Sequence, residues 1–395
     1  MIIRSEYLEK LKGFKDKQLI KVITGIRRCG KSTLLKMFQD YLLKHKVSRE
    51  QIISINFEDP DNESLTNYKA LYDYIKKRLL PDKKNYIFLD EIQNVADYQK
   101  AVDGLYIKDN VDLYITGSNA YFLSGELATL LAGRYIEIEM LPLSFKEYLS
   151  AFPDKTDLPA KYTQYLVNSS FPYTLELDKG EIRTYLDGIY NTVILKDVVQ
   201  RNKVLNVNSL ESIIKFMFDN IGNMTSVRNI SNTMTSAGRK ISNHTIENYL
   251  SALIDSFILY KVGRYDIKGK QYLQTNEKYY LVDIGLRYFL LGSKKADMGR
   301  MLENVVYLEL LRRGYEIYVG KVGTMEVDFV AIKDGNIEYF QVAQTVQLPV
   351  TLKHELRPLE IIKDHNPKYL LTLDNEPVSS HNGIKQIYTL DWLLE

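Results

Sequence analysis

The stretch that most constrains this chain is Gly25-Ile26-Arg27-Arg28-Cys29-Gly30-Lys31-Ser32, a G-x-x-x-x-G-K-S string. The apolar run Leu19 to Thr24 reads as a strand before it, and Lys31 to His45 follows with a helical pattern. That strand–loop–helix context gives the string its meaning. Gly25 and Gly30 let the backbone wrap closely around an anion, where loop N–H groups and the helix N-terminus favour phosphate. Lys31 is then placed for the β- and γ-phosphates of a nucleotide, Ser32 for magnesium and Thr33 for the α-phosphate. Arg27 and Arg28 lie inside the loop, and Arg28 is a further candidate phosphate contact.

A second element meets the first. Ile87-Phe88-Leu89-Asp90-Glu91 is an apolar strand ending in two carboxylates, which places them where open α/β sheets bind ligands. Asp90 is expected to hold magnesium, directly or through water. Glu91 is expected to polarise the water that attacks the γ-phosphate. An aspartate alone would fit simple nucleotide binding equally well, whereas the pair favours hydrolysis. The next strand ends in Thr116-Gly117-Ser118-Asn119. Either Ser118 or Asn119 can sense the water or the γ-phosphate there, and the sequence does not choose between them. Arg134, after Gly133 and before a fifth strand, is a candidate for neutralising the leaving phosphoryl group, in its own subunit or a neighbour's. Cys29 sits in the loop, where a helix N-terminus lowers a thiol pKa and suggests an oxidation-sensitive position.

The rest of the first half repeats the alternation of strand and helix. Ile52 to Phe57, Tyr86 to Asp90, Val111 to Thr116 and Tyr135 to Met140 read as strands, and Leu65 to Leu80 as a helix. Short apolar strands between helices predict a parallel sheet covered on both faces. With 395 residues the chain exceeds one hydrophobic core. Helix dominates from about Ser150 to Asn206. Three short helices (Leu210 to Ile221, Ser226 to Ser236, Asn243 to Leu259) and β-stretches around Lys268-Gly269-Lys270 then make a winged-helix pattern. The last hundred residues read as a second α/β domain. The predicted division is 1–150, 151–206, 207–296 and 297–395.

Composition excludes more than it selects. A net charge of +2 gives no sign of a strongly basic nucleic-acid binder, so any basic surface must be local. With one cysteine there is no intramolecular disulfide and no multi-cysteine zinc site. No apolar run reaches the roughly 18–20 residues that span a bilayer, and Met1 to Gln18 lack the apolar stretch of a signal peptide. A cytoplasmic location is expected.

Taken together, the motifs resemble the prokaryotic AAA-type P-loop ATPases that carry a C-terminal domain of unknown function. The matching residues are Gly25 to Ser32, Asn56 to Asp59, Leu89 to Gln93, Thr116 to Asn119 and Gly133-Arg134 followed by Leu141 to Phe145. Glu303-Asn304 and Glu326 to Phe329 extend the similarity over essentially the whole chain. The resemblance implies an AAA-type core with parallel strand order 5-1-4-3-2, Glu91 as catalytic base, a winged-helix segment and a C-terminal restriction-endonuclease-like α/β domain. That last fold calls for an acidic residue, an aspartate and then Glu-x-Lys to hold magnesium. Glu303 and Asp328 are present, but the next strand reads Gln341-Val342-Ala343. A degenerate, cleavage-incompetent domain is expected.

The expected activity is therefore ATP hydrolysis with Mg2+, catalysed by Lys31, Glu91, Asn119 and Arg134. One reading has it act on DNA through Arg239, Lys240, Ser242, Asn243, His244 and Asn248, with Lys268 and Lys270 at the wing. The other has the nucleotide state control assembly with further copies of the chain or with a protein partner, without DNA. A metabolic kinase fits poorly with the Asp-Glu pair and the two appended domains.

Overall fold

The computed structural model describes residues 2–120, 131, 133–199, 204, 206–292 and 298–395. The chain divides into two compact units, residues 1–142 with 255–257 and residues 143–254 with 258–395.

The first unit opens with helix α1 (Ser5–Gly13) and then alternates β1 (Ile20–Thr24), α2 (Lys31–Lys44), β2 (Ile52–Asn56), α3 (Tyr68–Lys76), β3 (Asn85–Asp90), α4 (Tyr98–Tyr106), β4 (Val111–Thr116) and β5 (Tyr135–Glu139). The sheet order is β2-β3-β4-β1-β5, the expected order seen from its other edge, with every neighbour parallel. Every residue of β1, β3 and β4 is buried, as a sheet covered on both faces requires. One core cluster joins Val22, Ile55, Leu89 and Ile115 of the strands to Leu71, Val102 and Leu105 of the helices. Helix α3 is shorter than the sequence suggests. The Asn67 side chain caps it by accepting from the Lys69 N–H at 3.0 Å, and Pro60 opens a separate 3-10 turn before it.

The second unit begins with helices α5 (Phe145–Leu149), α6 (Leu158–Asn168) and α7 (Lys179–Ile189). Then come α8 (Val207–Asp219), α9 (Val227–Ser236), α10 (Asn243–Asp255), the hairpin β6 (Leu259–Asp266) and β7 (Gln271–Leu281), and α11 (Ile284–Leu291). The chain continues through α12 (Met298–Arg312), β8 (Glu316–Val322), β9 (Met325–Lys333), β10 (Asn336–Ala343), α13 (Pro349–Glu360), β11 (Lys368–Thr372), β12 (Ser379–His381), β13 (Ile384–Tyr388) and α14 (Thr389–Trp392). Eight strands form one mixed sheet, ordered β12-β13-β11-β10-β9-β8-β6-β7. The hairpin is thus part of this sheet: β6 pairs in parallel with β8 through Arg264–Val319, Tyr265–Gly320 and Asp266–Lys321. Buried Asp283 fastens the early helices to α11. Its carboxylate caps the Leu286 N–H at 2.9 Å and accepts from the Ser170 N–H and hydroxyl at 2.7 and 2.6 Å. Gly285 permits that approach, since a Cβ there would lie 2.4 Å from Ser169 Cα.

Among the described residues, no helix is long and apolar enough to cross a membrane.

Candidate nucleotide site

The loop between β1 and α2 has the shape its glycines foretell. Gly25 has φ 136°, and a Cβ there would lie 2.2 Å from the Met140 carbonyl oxygen at the end of β5. Only glycine fits both conditions. Gly30 caps α2 from the left-handed region, and Arg28 also has positive φ, which sends its side chain to the surface. Arg27 pairs with Glu58 beyond β2. One contact had no local sequence signal. Arg4, 3% exposed, donates to the carbonyls of Cys29 (3.0 Å), Leu141 (2.7 Å) and Pro142 (3.3 Å), which ties the loop to the chain after β5.

Lys31, 4% exposed, turns its ammonium back into the loop. It donates to the carbonyls of Gly25 (3.0 Å) and Ile26 (3.3 Å) and to the Ser118 hydroxyl (2.9 Å), and lies 3.6 Å from Glu91 Oε1. The Ser118 hydroxyl is 2.6 and 2.8 Å from the two Glu91 oxygens, so it accepts from the lysine and donates to the carboxylate. Of the two candidates ending β4, Ser118 is the one that bridges Lys31 and Glu91. Asn119 follows it, half-buried.

The carboxylates at the end of β3 have unlike surroundings. Asp90 accepts from Thr116 Oγ1 at 2.6 Å and from the exposed Ser32 hydroxyl. Burial pushes its carboxyl above the ordinary range despite those bonds. Glu91 sits in the left-handed region at φ 55°, its N–H donating to Thr116 Oγ1 at 2.8 Å. Burial opposes its charge too, but Lys31 and hydrogen bonds from Ser118 and Gln93 outweigh it and hold this carboxyl below its usual value. A hydroxyl beside a carboxylate is the hard-oxygen donor set that suits Mg2+, which takes few protein ligands and completes its shell with phosphate and water.

Two of the sequence candidates have surroundings that their neighbours in sequence do not show. Arg134 precedes β5 and its carbonyl accepts from the Ile20 N–H, at the edge where β1 begins, whereas the loop leaves the far end of β1. The guanidinium pairs with Asp103 at 2.5 Å. In its own subunit Arg134 is a strand's length from the loop after β1. Cys29 is fully buried, and burial raises its thiol pKa above the ordinary value against the pull of Lys31 and Arg4. The thiolate expected from the helix N-terminus is therefore disfavoured, because desolvation wins.

This sheet order and loop are those of a P-loop fold, and residues 17–149 match the AAA domain family. The chain belongs to one family with an uncharacterized protein of Haemophilus influenzae, 43% identical over 399 residues that span 100% of this chain and 99% of that one. An uncharacterized protein of Methanocaldococcus jannaschii is 32% identical over 378 residues, 90% of this chain and 80% of that one. Residues 159–297 match a domain of unknown function (DUF8612). A Walker-type ATPase of Pyrococcus abyssi shares the fold with a TM-score of 0.51 at 15% identity, over 73% of this chain and 96% of that one.

Proposed function

We propose that this chain is a magnesium-dependent ATPase whose hydrolysis step drives a conformational change acting on DNA. The observation that carries the hydrolytic reading is the buried line Lys31–Ser118–Glu91 beside the phosphate loop. In this reading the loop N–H groups and Lys31 bind the phosphates of ATP. Ser32 and Asp90 hold Mg2+, which neutralises charge on the phosphate oxygens. Glu91 takes a proton from water as that water's oxygen bonds to the γ-phosphorus. The bond to the bridging oxygen then breaks, leaving ADP and phosphate. Ser118 keeps the Glu91 carboxylate oriented, and Asn119 is the second polar group in reach of the attacking water. Thr33, exposed on the first turn of α2, suits the α-phosphate, and Arg28 is free to turn toward it. Arg134 would serve a neighbouring subunit, which makes the working form a homo-oligomer.

The DNA reading rests on residues 207–296 taken as a winged helix. Arg239, Lys240, Ser242, Asn243, His244, Asn248, Lys268 and Lys270 are all exposed there. Residues 297–395 are taken as a nuclease-like domain without cleavage activity, since Gln341 stands where a carboxylate is needed. Residues 1–150 are the ATPase core and 151–206 a helical connection.

The test is ATP turnover by the parent and Lys31→Ala, each with and without duplex DNA. Loss of turnover in Lys31→Ala is expected, with stimulation of the parent by DNA that weakens as salt rises. Unchanged turnover in Lys31→Ala refutes the site. Absence of any DNA effect, with oligomer size differing between ADP and ATP, would instead support the nucleotide-switched assembly reading.

A further inference from the structure

The second unit holds a cluster of charges that the candidate nucleotide site does not use, with Lys278, Glu303 and Asp328 buried and Glu326 half-exposed at its rim. Lys278 on β7, with a side chain 4% exposed, places its ammonium 2.8 Å from Glu303 Oε1, 2.6 Å from Glu326 Oε1 and 3.8 Å from Asp328 Oδ1. Glu303 comes from α12, and Glu326 and Asp328 alternate along β9 and so share a face of the sheet. Glu303 and Asp328 are fixed from elsewhere as well. The Tyr280 hydroxyl donates to Glu303 Oε1 at 2.6 Å, and the Val342 N–H donates to Asp328 Oδ2 at 2.8 Å. Gln341 is turned to other tasks: its Oε1 accepts from the Asp328 N–H at 3.3 Å and its Nε2 donates to Glu355 at 2.9 Å.

Three carboxylates gather here from a helix and a strand, and such a set of like charges needs a counter-charge. Here the protein supplies its own. An Mg2+ at the ammonium position would need the surrounding oxygens to close from 2.6–3.8 Å to about 2.0–2.1 Å. With the lysine in place, charge repulsion adds to that geometric mismatch. Among the described residues, no group of three or more histidine, cysteine, aspartate or glutamate side chains is spaced to hold a metal ion.

We propose that the Lys278 ammonium takes the place of a divalent cation among Glu303, Glu326 and Asp328. The wild-type site stays metal-free and becomes a cation site only when the lysine is removed. This goes beyond the ATPase reading and does not depend on it, so a failed Lys31→Ala test leaves it standing.

The experiment titrates Mn2+ into the nucleotide-free full chain and follows the free-ion resonance signal. Asp328→Asn serves as the reference that subtracts binding elsewhere. The parent and Lys278→Arg should bind no more Mn2+ than Asp328→Asn. Lys278→Met should bind one further equivalent, lost in the Lys278→Met/Asp328→Asn double variant. If Lys278→Met fails to fold alone, folding on Mn2+ addition supports the proposal, and remaining unfolded with Mn2+ overturns it. A folded Lys278→Met that takes no extra Mn2+ also overturns it. So does a Mn2+ equivalent in the parent that Asp328→Asn loses, or magnesium-dependent DNA cleavage by the parent that both single variants abolish.

Discussion

Replacing Glu91 with glutamine separates binding from chemistry at the nucleotide site. The substitution keeps the shape of the side chain. Ser118 can still donate to the amide oxygen, and Gln93, whose Oε1 is buried without a hydrogen-bond partner, can rotate its own amide to accept from the new NH2. What disappears is the charge and the capacity to take a proton. At 3.6 Å the gross attraction between Lys31 and Glu91 is about 4–5 kcal/mol at an effective dielectric constant of about 20. Freed of that partner, Lys31 is at least as available to phosphate, so ATP should bind as tightly as to the parent or more tightly. Loss of a positioned general base costs roughly 10²–10⁴-fold, about 2.7–5.5 kcal/mol of barrier. Fluorescent-nucleotide binding and single-turnover phosphate release measure the two quantities separately. Turnover within about fivefold of the parent, with binding intact, would refute the assignment of Glu91 as the base.

Three further outcomes follow from the same geometry. Gly25→Ala sets a Cβ against the Met140 carbonyl at 2.2 Å in a left-handed backbone, so it should abolish nucleotide binding and lower stability by about 3 kcal/mol or more, read by thermal melts. Arg4→Ala removes the donors to three buried carbonyls and should cost about 2–4 kcal/mol in urea unfolding while weakening ATP binding through a loosened loop. Asp90→Asn concerns an acid whose folded-state pKa is raised by burial, so the folded state holds its proton more tightly and the charged form detracts from stability as pH rises past the unfolded value of about 3.9. At pH 7 without nucleotide the variant should melt no lower than the parent, its advantage fading toward pH 4, while magnesium-dependent ATP binding falls. Glu91 has the opposite sign: its lowered pKa stabilises the fold above the unfolded value, and that contribution is lost as pH falls through the folded one.

The first unit was legible because its information is local. Each strand is a short apolar run, and the loop between β1 and α2 carries its own glycines and lysine. Asp90 and Glu91 follow from where an apolar strand stops. Side chains whose role depends on distant neighbours were not legible. Arg4 is one arginine ahead of a helix, and nothing nearby announces three carbonyls from two other segments. Ser118 and Asn119 are equivalent as text, and only the backbone path after β4 brings Ser118 between the lysine and the glutamate. Arg134 reads as a neighbour of the site until the β1–β5 register sends it to the opposite edge. Lys278 lies in Lys278-Tyr279-Tyr280-Leu281, where alternation suggests a solvent-facing lysine, and the acids that bury it are far along the chain. Cys29 shows the same failure for pKa, since a helix end is visible in sequence and full burial is not.

A wing that is to flex needs a hinge, and this hairpin has none on its β8 side. Tilting it would break the Arg264–Val319, Tyr265–Gly320 and Asp266–Lys321 pairings together, and the bond from the Ile267 N–H to the Lys321 carbonyl as well. The Asp266 carboxylate stiffens the turn by accepting from the Lys268 and Gly269 N–H groups, each at 3.1 Å. From that turn, β7 leads back to Lys278 across a register shift, Arg264 pairing with Leu273 and Val262 with Lys278. The tip is therefore held to the sheet rather than left to swing on its own. The strand that leaves the tip is the one that carries Lys278 among Glu303, Glu326 and Asp328.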